Sequence, residues 1–322
     1  MQSFSSSAGS CLQQGTVKGW RGFVWMLKII LPVSLITFFL EHSGWLGRMD
    51  GFLEPLMGVL HLPAMAALPL LVGMLTGIYG GIAAMSVLPF TVNQMTLMAV
   101  FLLIAHSLIQ EGLVQHHSGC PAWMATVVRL AAALLTVYGI GWLLGAETAQ
   151  DVAGGSPAAA VPAFWPALQQ WAVTMAKLCL KILLIIVALM IGMEALKRFN
   201  LIEKLVRAIE PFLGLLGLDR QVGMLWLTAA VLGITYGGAL IVEETREGQL
   251  RPQQLKPLHV SIGINHAMLE DPALFIPLGI HPFWLWIPRL VVAVIFTHLY
   301  RLWLWVQRRR SLAAETVSID GC

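Results

Sequence analysis

The stretch INHAMLEDPALF, residues 264–275, has a second copy at 104–114, IAHSLIQEGLV. Other pairs fall in the same order. LKII (27–30) matches LKIL (180–183), with Glu41 and Glu194 closing the apolar runs that contain them. LEPLMGVL (53–60) matches IEPFLGLL (209–216), GIYGGIAAM (77–85) matches ITYGGALIV (234–242), and VVRLAAALLTV (127–137) matches IPRLVVAVIFT (287–297). Composition alone would align leucine with leucine. It would not align Glu-Pro, Tyr-Gly-Gly, His and Arg-Leu in one register. The chain therefore reads as an internal duplication: a polar tail (1–19), a first repeat (20–145), an Ala/Gly/Pro-rich linker (146–169), a second repeat (170–308) and a C-terminal tail (309–322).

Composition places both repeats in lipid. Hydrophobic residues make up 57% of the chain and charged residues 11%, against about 25% charged in a soluble domain; mean hydropathy is +0.76. Apolar runs at 22–40, 121–144, 172–196, 222–242 and 282–306 approach the roughly 20 residues that cross a bilayer as a helix. They are continuous, unlike the alternating segments of a membrane barrel. The class is an all-α polytopic membrane protein. The first run is followed by no small-residue cleavage site, so it reads as a retained span rather than a signal peptide.

The exclusions are equally plain. The net charge of +3 comes with no basic, aromatic-interleaved stretch that would suit nucleic acid. Cys11, Cys120, Cys179 and Cys322 form no CxxC pair. There is no P-loop, HExxH or GxSxG, so neither an NTP-driven pump nor a hydrolase is indicated, and the chain reads as a non-enzyme.

Basic residues suggest orientation. Lys18 and Arg21 precede the first run, Lys197, Arg198, Lys204 and Arg207 follow the first run of the second repeat, and Arg308–Arg310 follow the last. The linker carries no Lys or Arg. All basic clusters fall inside, with both termini cytoplasmic, if each repeat crosses an odd number of times, which makes the repeats inverted. The 243–257 loop, with Arg246, Arg251 and Lys256, disagrees. Inverted repeats with Gly-interrupted segments at matching positions are the pattern of secondary transporters, whose sites lie near the midplane. Each repeat is expected to hold a long helix, a short amphipathic one, a span broken near its Tyr-Gly-Gly, a short or re-entrant segment carrying His, and a span carrying Arg.

Ionisable residues inside such a chain are functional candidates by default. Tyr79-Gly80-Gly81 and Tyr236-Gly237-Gly238 mark helix breaks or close helix packing. Glu243, Glu244, Asn265, His266, Glu270, Asp271 and His106 are the candidates for contact with an ion or substrate. His266 and Glu270 would share a face if their segment were helical. Carboxylate oxygens with imidazole suit Fe²⁺, Mn²⁺ or Zn²⁺ as a transported cation, with His266, Glu270 and Glu243 as the metal set; a structural His266–Glu270 pair is the plain alternative. The first repeat keeps His106 and Glu111 but has Gln110 where the second has Glu270, so one principal site is expected, mostly from the second repeat. Arg129 and Arg289 lie inside apolar runs and need acidic partners, with Glu111, Asp271 or Glu270 the natural ones.

The duplicated GIYGG/ITYGG, the EE at 243–244 and NHAMLEDP with its later PRL resemble the nucleoside-recognition, or Gate, family of bacterial membrane proteins over about 20–308. That family includes spore-maturation-type proteins, and its module resembles the membrane part of ferrous-iron uptake permeases. The resemblance implies a transport-type fold in the cytoplasmic (inner) membrane. These residues depart from the iron permeases in showing no P-loop of a GTP-binding domain. Three functions are in view: a carrier of a divalent cation or of a proton-coupled solute, a carrier of a nucleoside or other polar solute, and a membrane scaffold working with a homo-oligomeric or other membrane partner.

Overall fold

The computed structural model describes residues 2–45, 50–144, 163–199, 212–247 and 250–319, with positions 48, 201, 204, 207 and 208. Most of the linker, and about half of the amphipathic segment expected at 200–216, lie outside the described residues. The first half contains α1 (Gln2–His42), α2 (Asp50–Val59), α3 (Ala67–Thr76), α4 (Ile78–Met85), α5 (Val92–Ala105), α6 (Leu108–His117) and α7 (Ala122–Leu144). The second contains α8 (Phe164–Arg198), α9 (Gly223–Leu232), α10 (Ile234–Arg246), α11 (Pro252–Ile264), α12 (Glu270–Phe275) and α13 (Pro282–Ile319). The described helices thus recur in one order, and the protein is an all-α polytopic membrane protein. Among the described residues five helical stretches are long and apolar enough to cross a membrane: Cys11–His42, Val92–His117, Ala122–Leu144, Phe164–Arg198 and Pro282–Gln307.

Each half is built around two breaks. The first separates α3 from α4 at Gly77 and α9 from α10 at Gly233, where φ is +98° and +88°, a region that side chains disfavour. The chain bends here, not at the paired glycines. Gly80-Gly81 and Gly237-Gly238 sit within α4 and α10, where their missing Cβ atoms admit neighbours: Leu102 against Gly81, Ala229 against Gly237 and Val114 against Gly238. They act as packing glycines.

The second break follows each histidine. α5 starts with a capping box, Thr91 Oγ1 accepting from Gln94 N while Thr91 N donates to Gln94 Oε1. It ends at His106, and Ser107 then turns left-handed at φ +45°. α11 ends at Ile264, and Ala267 turns left-handed at φ +46°. The two breaks of a half are tied together: Ser107 N donates to Gly73 O at 3.1 Å, and Ala267 N to Ala229 O at 3.1 Å. Main-chain groups freed by the breaks are thereby satisfied inside protein, which the lipid core requires.

The first helices of the two halves pack side by side in opposite directions. Gly15 of α1 meets Ile191 of α8, Gly19 meets Val187, and at the far end Phe38 meets Trp171 and Phe164. A Cβ on Gly15 would lie 2.5 Å from Ile191 Cα, so only glycine allows this approach. Lys18 Nζ and Glu194 Oε1 close the contact at 2.6 Å. α5 lies at the centre, with Leu97–Ala105 fully buried. The arginine-bearing α7 and α13 pack on it and on each other, which brings the second breaks of both halves face to face.

Candidate functional site

The two histidine breaks meet in the middle of the molecule. His106 and His266 have ring centroids 5.1 Å apart. Each imidazole is fixed by the helix it terminates: His106 Nδ1 donates to Leu102 O at 2.8 Å and His266 Nδ1 to Ile262 O at 3.0 Å. A carbonyl can only accept, so both Nδ1 atoms carry hydrogen, and both Nε2 atoms point into the shared space.

Glu111, in the first turn of α6, bridges them. Its Oε1 is 2.9 Å from His106 Nε2, and its Oε2 is 3.1 Å from His266 Nε2 and 2.8 Å from Arg129 Nη1. A carboxylate and a neutral Nε2 are both acceptors, so the His106 Nε2–Glu111 Oε1 contact holds a proton on one side or the other, while His266 Nε2 and Glu111 Oε2 lie close without a hydrogen bond. Asp271 is the equivalent residue of the second half. Its Oδ2 lies 3.6 Å from His106 Nε2.

The arginines hold the breaks in place. Arg129 donates from Nε to Ile104 O at 2.8 Å and from Nη2 to His106 O at 2.7 Å. Arg289 donates from Nε and Nη2 to Ile264 O at 3.2 and 3.0 Å, and from Nη2 to His266 O at 2.8 Å. The guanidinium fork thus caps the carbonyls that the left-handed turn exposes. Here the two halves part: Arg129 Nη1 lies 2.8 Å from Glu111 Oε2 as an ion pair, whereas among the described residues no carboxylate lies within ion-pair distance of Arg289, and neither Nη1 makes a hydrogen bond. His106, Glu111, Arg129, Asn265, His266, Asp271 and Arg289 are all buried. Two arginines against two carboxylates leave this set near electrical balance, as removal from water demands.

One ligand atom each of His106, His266 and Asp271 lies within 4.8 Å of the others. This differs from the set His266, Glu270 and Glu243. The face-sharing of His266 and Glu270 fails because α11 stops at Ile264 and α12 restarts at Glu270. Glu270 Oε1 instead accepts from Tyr79 Oη of the first half at 2.7 Å. Glu243 is exposed and Glu244 half-buried, near the end of α10; neither belongs to the group of convergent ligand atoms. Asn265 is fully buried with neither amide atom bonded. Nor is the site mostly the second half's: Glu111 supplies its central carboxylate.

Sequence reasoning passed over Tyr79 as a side chain, and His259, which is buried with Nε2 2.8 Å from Ser118 O. Tyr79 was legible as one of the few tyrosines, next to a break. Nothing in the sequence pointed to Ser118 as the partner of His259.

Comparisons with known proteins agree with a membrane protein of this kind. The family model described as Gate, nucleoside recognition, matches residues 23–140, which is the first half. A membrane protein of Bacillus subtilis (strain 168), YvoD, described as uncharacterized, is 32% identical over 288 residues, covering 87% of this chain and 92% of the relative. No solved structure matches. On this likeness along nearly its whole length, the chain belongs to the Gate, or nucleoside-recognition, family of membrane proteins.

Proposed function

We propose that the protein is a transporter of the bacterial cytoplasmic membrane, and that its cargo is a divalent cation such as ferrous iron, bound where the two halves meet. The observation that carries this reading is the convergence of His106, His266 and Asp271 ligand atoms, drawn from both halves, within 4.8 Å. Imidazole nitrogen with carboxylate oxygen is a donor set for Fe²⁺, Mn²⁺ or Zn²⁺. Glu111 stands beside it as a fourth donor, through oxygen, or as the group that orients both rings. The opposed run of α1 and α8 supports an inverted arrangement of the halves, and such repeats suit alternating access around a fixed central site. Residues of this kind inside a membrane mark an ion path more often than a catalytic centre.

The test is equilibrium binding of Mn²⁺ and Fe²⁺ to purified protein in nanodiscs, with flux into liposomes as the second readout. Wild-type protein should bind saturably. His266→Ala and Asp271→Asn should each weaken binding at least tenfold, and Glu243→Gln should leave it unchanged. Absence of saturable binding, with flux unaltered in these variants, would sink the reading.

A second reading, a carrier of a nucleoside or another polar solute, is favoured by a separate observation. Asn265 offers a buried donor and acceptor, and Arg289 Nη1 a further donor, with no partner in the protein. Unpartnered buried polar groups of both kinds suit a hydrogen-bonding solute. Saturable binding of uridine or adenosine, lost in Asn265→Leu, would favour it over the cation. Neither binding, with a stable copurifying membrane protein, would favour a scaffold.

A further inference from the structure

The register that matches LKII with LKIL also matches Glu41 with Glu194 and Lys18 with Trp171. The structure treats the two carboxylates differently. Glu194 is neutralised from across the helix pair by Lys18 at 2.6 Å. At the opposite end of the same pair, the position equivalent to Lys18 is Trp171. Among the described residues no cationic side chain lies within ion-pair distance of Glu41. A cavity of about 320 Å³ opens there instead, between the end of α1, the end of α4 and the start of α8, within the roughly 300–1,000 Å³ range of small-molecule sites. Glu41, Trp171, Phe38, Gln170 and Ser86 line it.

The walls are selective. Phe38 lies 6.1 Å from the Trp171 ring and stacks on His42 at 5.8 Å, which makes one side aromatic. A cation over indole and phenyl faces is attracted by their quadrupoles, more strongly when partly desolvated. Glu41 adds the opposite charge. Trp171 Nε1 is buried with no acceptor, and an indole N–H is a donor only. The space therefore asks for positive charge and, beside it, an oxygen that accepts.

We propose that this cavity binds an ammonium group carrying a neighbouring hydroxyl or phosphate oxygen, the ammonium held by Glu41 against Phe38 and Trp171. The ligand takes the place that Lys18 fills in the other copy. Two sources share this chemistry, a free amino alcohol and the headgroup of an ethanolamine phospholipid. The site is separate from the central cluster and stands whatever that cluster carries.

The experiment uses full-length protein in nanodiscs of phosphatidylglycerol alone or mixed with phosphatidylethanolamine. Radiolabelled ethanolamine is the free probe, ethylammonium its oxygen-free competitor, and native mass spectrometry reads retained lipid. In phosphatidylglycerol discs, ethanolamine should bind saturably, at least tenfold more weakly in Glu41→Gln, with ethylammonium a poor competitor. Trp171→Lys should abolish binding and raise the melting temperature, because it rebuilds the Lys18–Glu194 pair in the other copy. If phosphatidylethanolamine displaces the probe and is retained by the wild type but not by Glu41→Gln, the headgroup is the source. If it does not, the free amino alcohol is. No saturable probe binding together with no selective lipid retention would overturn the proposal. So would binding unchanged in folded Glu41→Gln and Trp171→Lys proteins, judged by a single monodisperse peak.

Discussion

Tyr79 Oη of the first half donates a 2.7 Å hydrogen bond to Glu270 Oε1 of the second. It joins the segment after one half's glycine break to the segment after the other half's histidine break. A hydrogen bond to a charged acceptor contributes about 1.5–3 kcal/mol. Tyr79→Phe is expected to lower the melting temperature by several degrees. Glu270→Gln, which keeps an acceptor, should lower it less. The double variant should be no worse than Tyr79→Phe alone, which a double-mutant cycle of thermal melts in detergent checks.

The equivalent acids Glu111 and Asp271 should behave unequally. Glu111 pairs directly with Arg129 and both imidazoles, so Glu111→Leu strands a buried guanidinium at a cost of about 3–5 kcal/mol. Among the described residues the side chain of Asp271 makes one ion-pair contact, the 3.6 Å approach to His106. Asp271→Leu should therefore express and melt much closer to wild type. Yields of monodisperse protein and thermal melts of the two variants make the comparison.

The glycine breaks are also unequal. Both need positive φ, and an alanine there is strained by about 1–3 kcal/mol. A Cβ at Gly77 would also lie 2.7 Å from Ser107 Oγ, whereas at Gly233 the nearest atom is Ala267 Cβ at 3.8 Å. Gly77→Ala should be the more destabilising, and Ser107→Ala should partly rescue it. The same thermal assay reads both effects.

If a divalent cation binds the histidine pair, its affinity should rise with pH. The metal needs the Nε2 lone pairs, and the His106 Nε2–Glu111 Oε1 contact at 2.9 Å holds a proton that must leave. Acid therefore competes. The logarithm of the association constant should climb with pH with a slope of about one, for that one contact. Titrations of Mn²⁺ across pH 5.5–8 measure it.

The sequence carried the frame and mislaid the partners. Matching His106 with His266, and Arg129 with Arg289, needed only register, because the duplication preserved their spacing. The pairing of Arg129 with Glu111 followed from the rule that a buried charge needs its opposite. The contact of Glu111 with His266 crosses between halves, and spacing along one helix says nothing about such contacts. The same limit misled the reading of His266 with Glu270. Four residues apart share a face only while the helix runs on, and the left-handed turn at Ala267 ends it. Glu243 and Glu244 drew notice as charges after an apolar run, but the side chains that converge lie on other segments.

The central cluster sits on the seam between the halves, and that location fixes a count. Copying a module that held a complete pocket of its own would have given two pockets per chain. Here each copy brings one imidazole, one acid and one arginine to a common point. Duplication therefore doubled the scaffold while giving, among the described residues, one shared cluster. A lone half, expressed by itself, would hold half a ligand set unless it found a second copy to complete it.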